Sequence, residues 1–190
     1  MQSLKRAVFL DRDGTINVDH HYLADPALLV FIPGTGPALR ELQDAQFCLF
    51  IVTNQSGIGR GYYTEGAMHA VNARMKAELA EWGVRFEKIY FSPEAPEQPS
   101  RGRKPSPQFL FDARDEFGLD LAASYMVGDK YLDLETGWSA GCAASILVRT
   151  GYGGEVEQKY RAQLRGAPVV DDLAGASKWI LGEARRRAKG

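Results

Sequence analysis

Apolar residues fall along this chain in short runs, and the junctions between the runs are polar and rich in glycine. Two periods alternate. "AVFLD" (7–11), "FCLFIVTNQ" (47–55), "KIYFSP" (88–93), "SYMVGD" (124–129) and "ASILVRT" (144–150) are short and mostly apolar, β-branched or aromatic, which predicts buried strands. "GTGPALRELQDAQ" (34–46), "TEGAMHAVNARMKAELAEWG" (64–83), "PQFLFDARDEFGL" (107–119) and "LDLETGWSAG" (132–141) lie between and after them and predict helices. In the second helix Met68, Val71, Met75 and Leu79 share one face, with Thr64 placed to cap its start and Gly83 to close its end. "PVVDD" (168–172) and "LAGASKWILGEARRR" (173–187) add a short strand and a last helix.

Strands alternating with helices predict an α/β fold, a Rossmann-like parallel sheet flanked by helices, in one domain over residues 1–190. No long insertion follows the first or second strand, so no large cap domain is expected, and a monomer is the expected state. In such sheets ligands sit beyond the C-terminal ends of the strands. Those ends carry "DRDGT" after the first strand, "TNQSG" after the second and "GDKYLD" after the fourth, while "GRKPSP" follows the third.

Composition narrows the function classes. With 45% hydrophobic and 25% charged residues the chain reads as an ordinary globular protein, and a net charge of −1 provides no field for nucleic acid or an anionic membrane surface. The basic "RRRAK" run near the C-terminus reads as a solvated helix end. The N-terminus has no signal-peptide h-region and no stretch suits a membrane span, so the cytoplasm is expected. Cys48 and Cys142 read as small buried apolar residues with no disulfide framework.

The junctions carry chemistry. In extended backbone Asp11 and Asp13 would face one side while Arg12 points away. Two carboxylates sharing a site repel unless a cation or a proton intervenes, and Mg²⁺ resolves this with oxygen ligands. Asp129 would supply a further carboxylate, with Asp133 one turn later as a partner to the ligands. A carboxylate can take a phosphoryl group as nucleophile while a second moves the proton. Thr53, backbone N–H groups and Lys104 are candidates to neutralise the equatorial oxygens.

"DRDGT", the threonine of "VTNQS", the lysine of "RKPSP" and "VGDKYLD" resemble the four ordered motifs of the haloacid dehalogenase (HAD) superfamily, spanning residues 8–133. "FLDRDGTIN", "VTNQSGIGRG", "RKPSP" and "LVRTGYG" are further similar to the heptose 1,7-bisphosphate phosphatase and histidinol-phosphate phosphatase subgroup. The resemblance implies Asp11 as nucleophile and Asp13 as general acid/base. It implies Mg²⁺ held by Asp11, the main-chain carbonyl of Asp13, and Asp129, and Thr53 with Lys104 orienting the phosphoryl group. Asp19, His20, His21, Tyr22, Asn54, Gln55, Ser56, Arg103 and Lys130 would contact a small phosphorylated substrate. Arg60 is divided between substrate contact and loop surface. Asp133 reads as a structural or exposed acid sooner than as a ligand, and Asp129 has a second reading as a helix N-terminal acid. The adjacent histidines invite a metal reading, although a solvated or substrate-facing pair fits better.

One departure stands out. Where the subgroup carries a zinc loop of three cysteines and a histidine, "SPEAPEQPSRGRKPSP" has neither residue type, so no structural zinc is expected. Prolines 93, 96, 99, 105 and 107 could restrict this loop instead. The leading expectation is a Mg²⁺-dependent phosphatase that converts a heptose 1,7-bisphosphate to the 1-phosphate through an aspartyl-phosphate. Histidinol-phosphate hydrolysis is the enzyme alternative, and a non-catalytic phosphosugar-binding protein the alternative from another class. A nucleic-acid 3′-phosphatase is disfavoured by the neutral charge.

Overall fold

The computed structural model describes residues 4–187. Six strands form one parallel sheet: β1 (Arg6–Leu10), β2 (Phe47–Asn54), β3 (Lys88–Ser92), β4 (Tyr125–Gly128), β5 (Ala144–Val148) and β6 (Val169–Val170), in spatial order β3-β2-β1-β4-β5-β6. The helices are α1 (Thr35–Asp44), α2 (Ser56–Gly59), α3 (Glu65–Ala80), α4 (Gln108–Phe117), α5 (Tyr131–Ala140), α6 (Gly153–Lys159) and α7 (Leu173–Arg187). The parallel α/β sheet predicted from the alternation of runs is present.

Side chains along β1 alternate between two cores, as a two-residue period requires. Val8 and Leu10 join Leu39 and Leu42 of α1, Val71 and Met75 of α3 and Ile180 of α7. Ala7 and Phe9 join Phe50, Leu110, Ala113 and Met126 on the opposite face. Both faces are covered, which explains why the central strands read as continuous apolar runs. Helix α3 begins where expected: the Thr64 hydroxyl accepts from the Ala67 N–H at 3.2 Å. Met68, Val71, Met75 and Leu79 are buried, and Asn72 is buried among them.

Two short helices were not predicted. Helix α2 lies in the "QSGIGRGYYTEG" stretch, and α6 starts in "GYGG", where glycines weaken the helical signal. The cysteines are half-buried rather than buried, because each packs at the edge of the Phe9 core. Burial pushes the Cys142 thiol up to about 12, out of the reactive range. Arg185–Arg187 are exposed in the last turn of α7, and the remainder of "RRRAK" lies outside the described residues. Among the described residues no helix is long and apolar enough to cross a membrane.

Candidate active site

The strand order reverses between β1 and β4: β1 leads to β2 on one side, while β4 and β5 lie on the other. A crevice opens beyond the C-terminal ends at such a switch point. Pairing continues past β1, where the Asp11 N–H donates to the Val127 carbonyl at 2.9 Å, so the residues after β1 and β4 are held side by side. Asp11, Asp13, Thr53, Asn54, Lys104, Lys130, Leu132 and Asp133 line a narrow chamber of 30 Å³ there. It adjoins an open cleft of 270 Å³. A concavity of 890 Å³ between α1 and α7 lies at the opposite strand ends, and its charged side chains, Arg6, Glu41, Asp44, Lys178 and Arg185, belong to none of the strand-end motifs.

At the chamber floor Lys104 Nζ lies 2.9 Å from Asp11 Oδ1 and 2.5 Å from Asp133 Oδ1, and all three side chains are at most 5% exposed. Burial pulls the Lys104 ammonium down, but Asp11 and Asp133 outweigh it and hold the ammonium above its ordinary range. Asp133 also accepts from the Lys130 N–H at 2.9 Å, within a reciprocal cap at the start of α5. It is therefore neither exposed nor free: it is the second anchor of Lys104. Asp129 lies against two glycines with left-handed backbone, Gly14 (φ 86°) and Gly151 (φ 55°); an added Cβ would approach Asp129 Oδ2 to 2.3 and 2.1 Å respectively. The glycine of "DRDGT" is thus a spacing requirement of the Asp129 carboxylate beside it.

Oxygens of Asp11, Asp129 and Asp133 all lie within 4.8 Å of one another. Asp129 Oδ2 accepts from the Tyr152 N–H at 2.9 Å, whereas its Oδ1 is buried with no hydrogen-bond partner. Burial, against the pull of Lys130 and with Asp11 and Asp133 close by, pushes the Asp129 carboxyl up to about 8. An orphaned carboxylate oxygen inside a cluster of three acids is a donor set that fits a hard divalent cation.

Asp13 is arranged differently from the sequence expectation. The backbone leaves the strand at Leu10, and Arg12 does not point away: its guanidinium turns back onto Asp13 Oδ2, with Nε at 3.1 Å and Nη2 at 2.9 Å. Burial raises the Asp13 pKa, but Arg12 with the hydrogen bonds of Asn17, Arg12 and Gln55 prevails and holds it below the usual carboxylate range. Its side chain stands apart from the Asp11–Asp129–Asp133 cluster, which the structure assembles with Asp133 in the third place.

Thr53, the penultimate residue of β2, accepts from Gln55 Nε2 at 2.8 Å, which leaves its hydroxyl hydrogen for the chamber. Two expected substrate contacts are otherwise engaged. Asn54 clamps the Lys104 main chain, accepting from its N–H at 3.0 Å and donating to its carbonyl at 3.2 Å. Gln55 donates to Asp13 and Thr53 and accepts from Arg12 and from Tyr63, so its hydrogen-bonding capacity is filled internally. Ser56, Asp19, His21, Tyr22 and Lys130 do line the cleft, joined by Tyr63 and Tyr152. Lys130 Nζ is 3.3 Å from Asp19 and 5.1 Å from the centre of the Tyr152 ring, and the Tyr152 hydroxyl is 3.1 Å from His21 Nδ1. His20, Arg60 and Arg103 fall outside that lining: His20 is exposed, Arg60 faces Glu97 at 3.9 Å, and Arg103 donates to the Glu94 carbonyl at 3.0 Å.

The loop leading to Lys104 is closed by hydrogen bonds around Glu94. Its carboxylate accepts from Ser92 at 2.5 Å and from Ser100 at 2.8 Å, and Ser100 Oγ accepts from the Arg103 N–H at 3.1 Å. The Ser92 hydroxyl holds the Glu94 carboxyl below the usual glutamate range. The clasp is therefore complete above that range and is lost as the pH falls through the lowered value. Glu94→Ala is expected to speed amide exchange over residues 95–103 and to lower kcat/KM by about 3- to 10-fold through looser placement of Lys104. Hydrogen-exchange mass spectrometry alongside steady-state kinetics checks this.

Four groups escaped sequence reasoning: Arg12, Tyr63, Asn72 and Tyr152. Asn72 alone left a readable signal, a polar residue on the apolar face of α3.

The HAD-hydrolase-like family model matches residues 102–176. The chain is 40% identical over 182 residues to the D-glycero-beta-D-manno-heptose-1,7-bisphosphate 7-phosphatase of Yersinia pestis, covering 92% of this chain and 89% of that one. The Haemophilus ducreyi protein of the same name is 42% identical over 174 residues, covering 88% and 96%. Among solved structures, the D,D-heptose 1,7-bisphosphate phosphatase from B. bronchiseptica complexed with magnesium and phosphate superposes with a TM-score of 0.86 at 32% identity, covering 94% of this chain and 99% of that one.

Proposed function

The chain belongs to the D-glycero-beta-D-manno-heptose-1,7-bisphosphate 7-phosphatase family of HAD-type hydrolases, and from that premise we propose that it removes the 7-phosphate of a heptose 1,7-bisphosphate. The observation that carries the chemistry is the convergence of Asp11, Asp13, Thr53 and Lys104 on one chamber at the sheet's switch point.

Asp11 attacks phosphorus and the P–O bond to the sugar breaks, so that Asp11 carries the phosphoryl group as an acyl phosphate. The departing alkoxide takes a proton from Asp13, which must be protonated when the ester binds although Arg12 favours its carboxylate. A water then attacks the phosphorus and returns a proton to Asp13, and inorganic phosphate leaves with the Asp11 carboxylate restored. Three donors crowd Asp13 Oδ2, from Arg12 Nε, Arg12 Nη2 and Gln55 Nε2, whereas Oδ1 accepts only from Asn17 at 2.9 Å. The free lone pair is on Oδ1, and the proton is exchanged there. Lys104 and the Thr53 hydroxyl meet charge on the transferring group. Asp11, Asp129 and the Asp13 main-chain carbonyl would hold Mg²⁺, which when bound neutralises the carboxylate cluster and the phosphoryl oxygens. Asp19, His21, Tyr22, Lys130 and Tyr152 surround the remainder of the sugar phosphate; Lys130 supplies the cation for the second phosphate.

Phosphate release in Mg²⁺ is expected to favour the heptose bisphosphate over histidinol phosphate and a 3′-phosphorylated oligonucleotide by at least about 10-fold in kcat/KM. Phosphorus NMR should show loss of the 7-phosphate, and a chelator should stop turnover until Mg²⁺ is restored. Faster turnover of histidinol phosphate overturns the substrate. Tight binding of phosphosugars with no hydrolysis of any of the three favours a binding protein.

A further inference from the structure

Among the described residues, Arg12 is the largest side chain that is fully sealed from solvent. Removing a guanidinium from water is costly unless its donors are matched. Here the matching is nearly complete and reaches across the fold. Nε and Nη2 meet Asp13 Oδ2 at 3.1 and 2.9 Å; Nη2 also meets Gln55 Oε1 at 3.1 Å, and Nη1 meets Asn72 Oδ1 at 2.9 Å. Asn72 comes from α3, 60 residues away, and Gln55 follows β2. Gln55 is itself fixed by the Tyr63 hydroxyl at 2.6 Å. The planar guanidinium fork thus has its position set from behind by two separate elements, and its front edge faces a single carboxylate.

That carboxylate is the one group of the pair that remains partly open: the Asp13 side chain is 16% exposed and that of Arg12 0%. Proton transfer needs a heavy-atom approach of about 2.6–3.2 Å, so the orientation of a carboxylate on a flexible loop has direct kinetic weight. We infer that Arg12 is a positioning residue for Asp13, locking its Oδ2 so that Oδ1 stays turned to the departing oxygen, and that Asn72 and Gln55 serve by holding Arg12. The inference rests on the reading of Asp13 as the proton carrier. An ammonium cannot replace the fork, because Lys offers a point charge without fixed direction.

The test compares two phosphomonoesters in Mg²⁺. The sugar alkoxide of the heptose bisphosphate must be protonated as it leaves, whereas the phenolate of p-nitrophenyl phosphate leaves unaided. kcat/KM reports the step in which the alcohol departs. Arg12→Lys is expected to lower kcat/KM for the sugar ester by about 100-fold and for the aryl ester by less than about 5-fold. In an Asp13→Asn background the same substitution should cost less than about 2-fold, because the group being positioned is gone. Asn72→Ala should show the same split at about 10-fold on the sugar ester, and Asn72→Asp, which keeps the acceptor oxygen, should recover part of that loss. Proportional losses on both esters, or a full Arg12→Lys loss in the Asp13→Asn background, overturn the inference and leave Arg12 a packing residue.

Circular dichroism and thermal melting identify a variant that fails to fold; if Arg12→Lys does, the Asn72 pair decides by the same split. Wild-type preference for another alkyl phosphate would overturn the substrate alone, and the comparison would then use that ester. Wild-type hydrolysis confined to the aryl ester would overturn the role of Asp13, and the inference with it.

Discussion

Asp11→Asn is expected to lower kcat by about 10⁴-fold or more while leaving the protein at least as stable as the wild type. The activity loss follows from chemistry: an amide cannot form the acyl phosphate. The stability follows from charge. Asp11 shares a buried cluster with Asp129 and Asp133, and Lys104 is the ammonium bonded to two of the three. Asparagine keeps an oxygen for Lys104 Nζ and removes one of the repelling charges. Without divalent cation the thermal midpoint should therefore hold or rise. Wild type quenched during turnover should carry phosphoryl label on the Asp11 peptide, and Asp11→Asn should carry none. Label on any other residue, or turnover within about 10-fold of wild type, would sink the assignment of nucleophile.

Lys104→Met should be the most damaging substitution for fold and activity together. The methionine fills similar volume but leaves Asp11 and Asp133 buried without their shared cation, a situation that costs about 3–5 kcal/mol when one partner of a buried pair is removed. The thermal midpoint should fall accordingly, and less so in excess Mg²⁺, which supplies charge to the same cluster. kcat should fall by about 10³-fold even where the variant is folded, through loss of transition-state charge stabilisation. A folded Lys104→Met enzyme with kcat within about 10-fold of wild type would show that Lys104 is only structural. Lys104→Arg tests the geometry: a guanidinium restores charge but does not fit between two carboxylate oxygens 2.9 and 2.5 Å from one nitrogen, so little activity should return.

Much of the site was legible because strand-end chemistry is local. "DRDGT", "VTNQS" and "VGDKYLD" each follow a run long and apolar enough to be a buried strand, so their polar residues had to emerge at the sheet's edge. Lys104 was legible by motif, although its anchor Asp133 was not, because a buried Lys–Asp pair joins segments that are 29 residues apart. Asn54 and Gln55 were placed correctly at the end of β2, and their side-chain hydrogen bonds run to Lys104, Asp13, Thr53, Arg12 and Tyr63. Sequence shows that an amide is at the site; whether its hydrogen bonds point at substrate or at the neighbouring backbone depends on which loop lies across from it.

By itself the sequence determined the alternation of strands and helices, the parallel sense of the sheet, the capped start of α3 and the acids, threonine and lysine that the sheet presents at one edge. Periodicity and local spacing carry that information, since a side chain's face depends on its immediate neighbours. Only the tertiary structure decided that β1 and β4 lie side by side, which brings Asp129 beside Asp11. Only it turned Arg12 back onto Asp13 and set Asn72 of α3 behind it. Both depend on burial: a charge withdrawn from water must find its partner wherever the packed chain provides one, and sequence distance does not limit that choice.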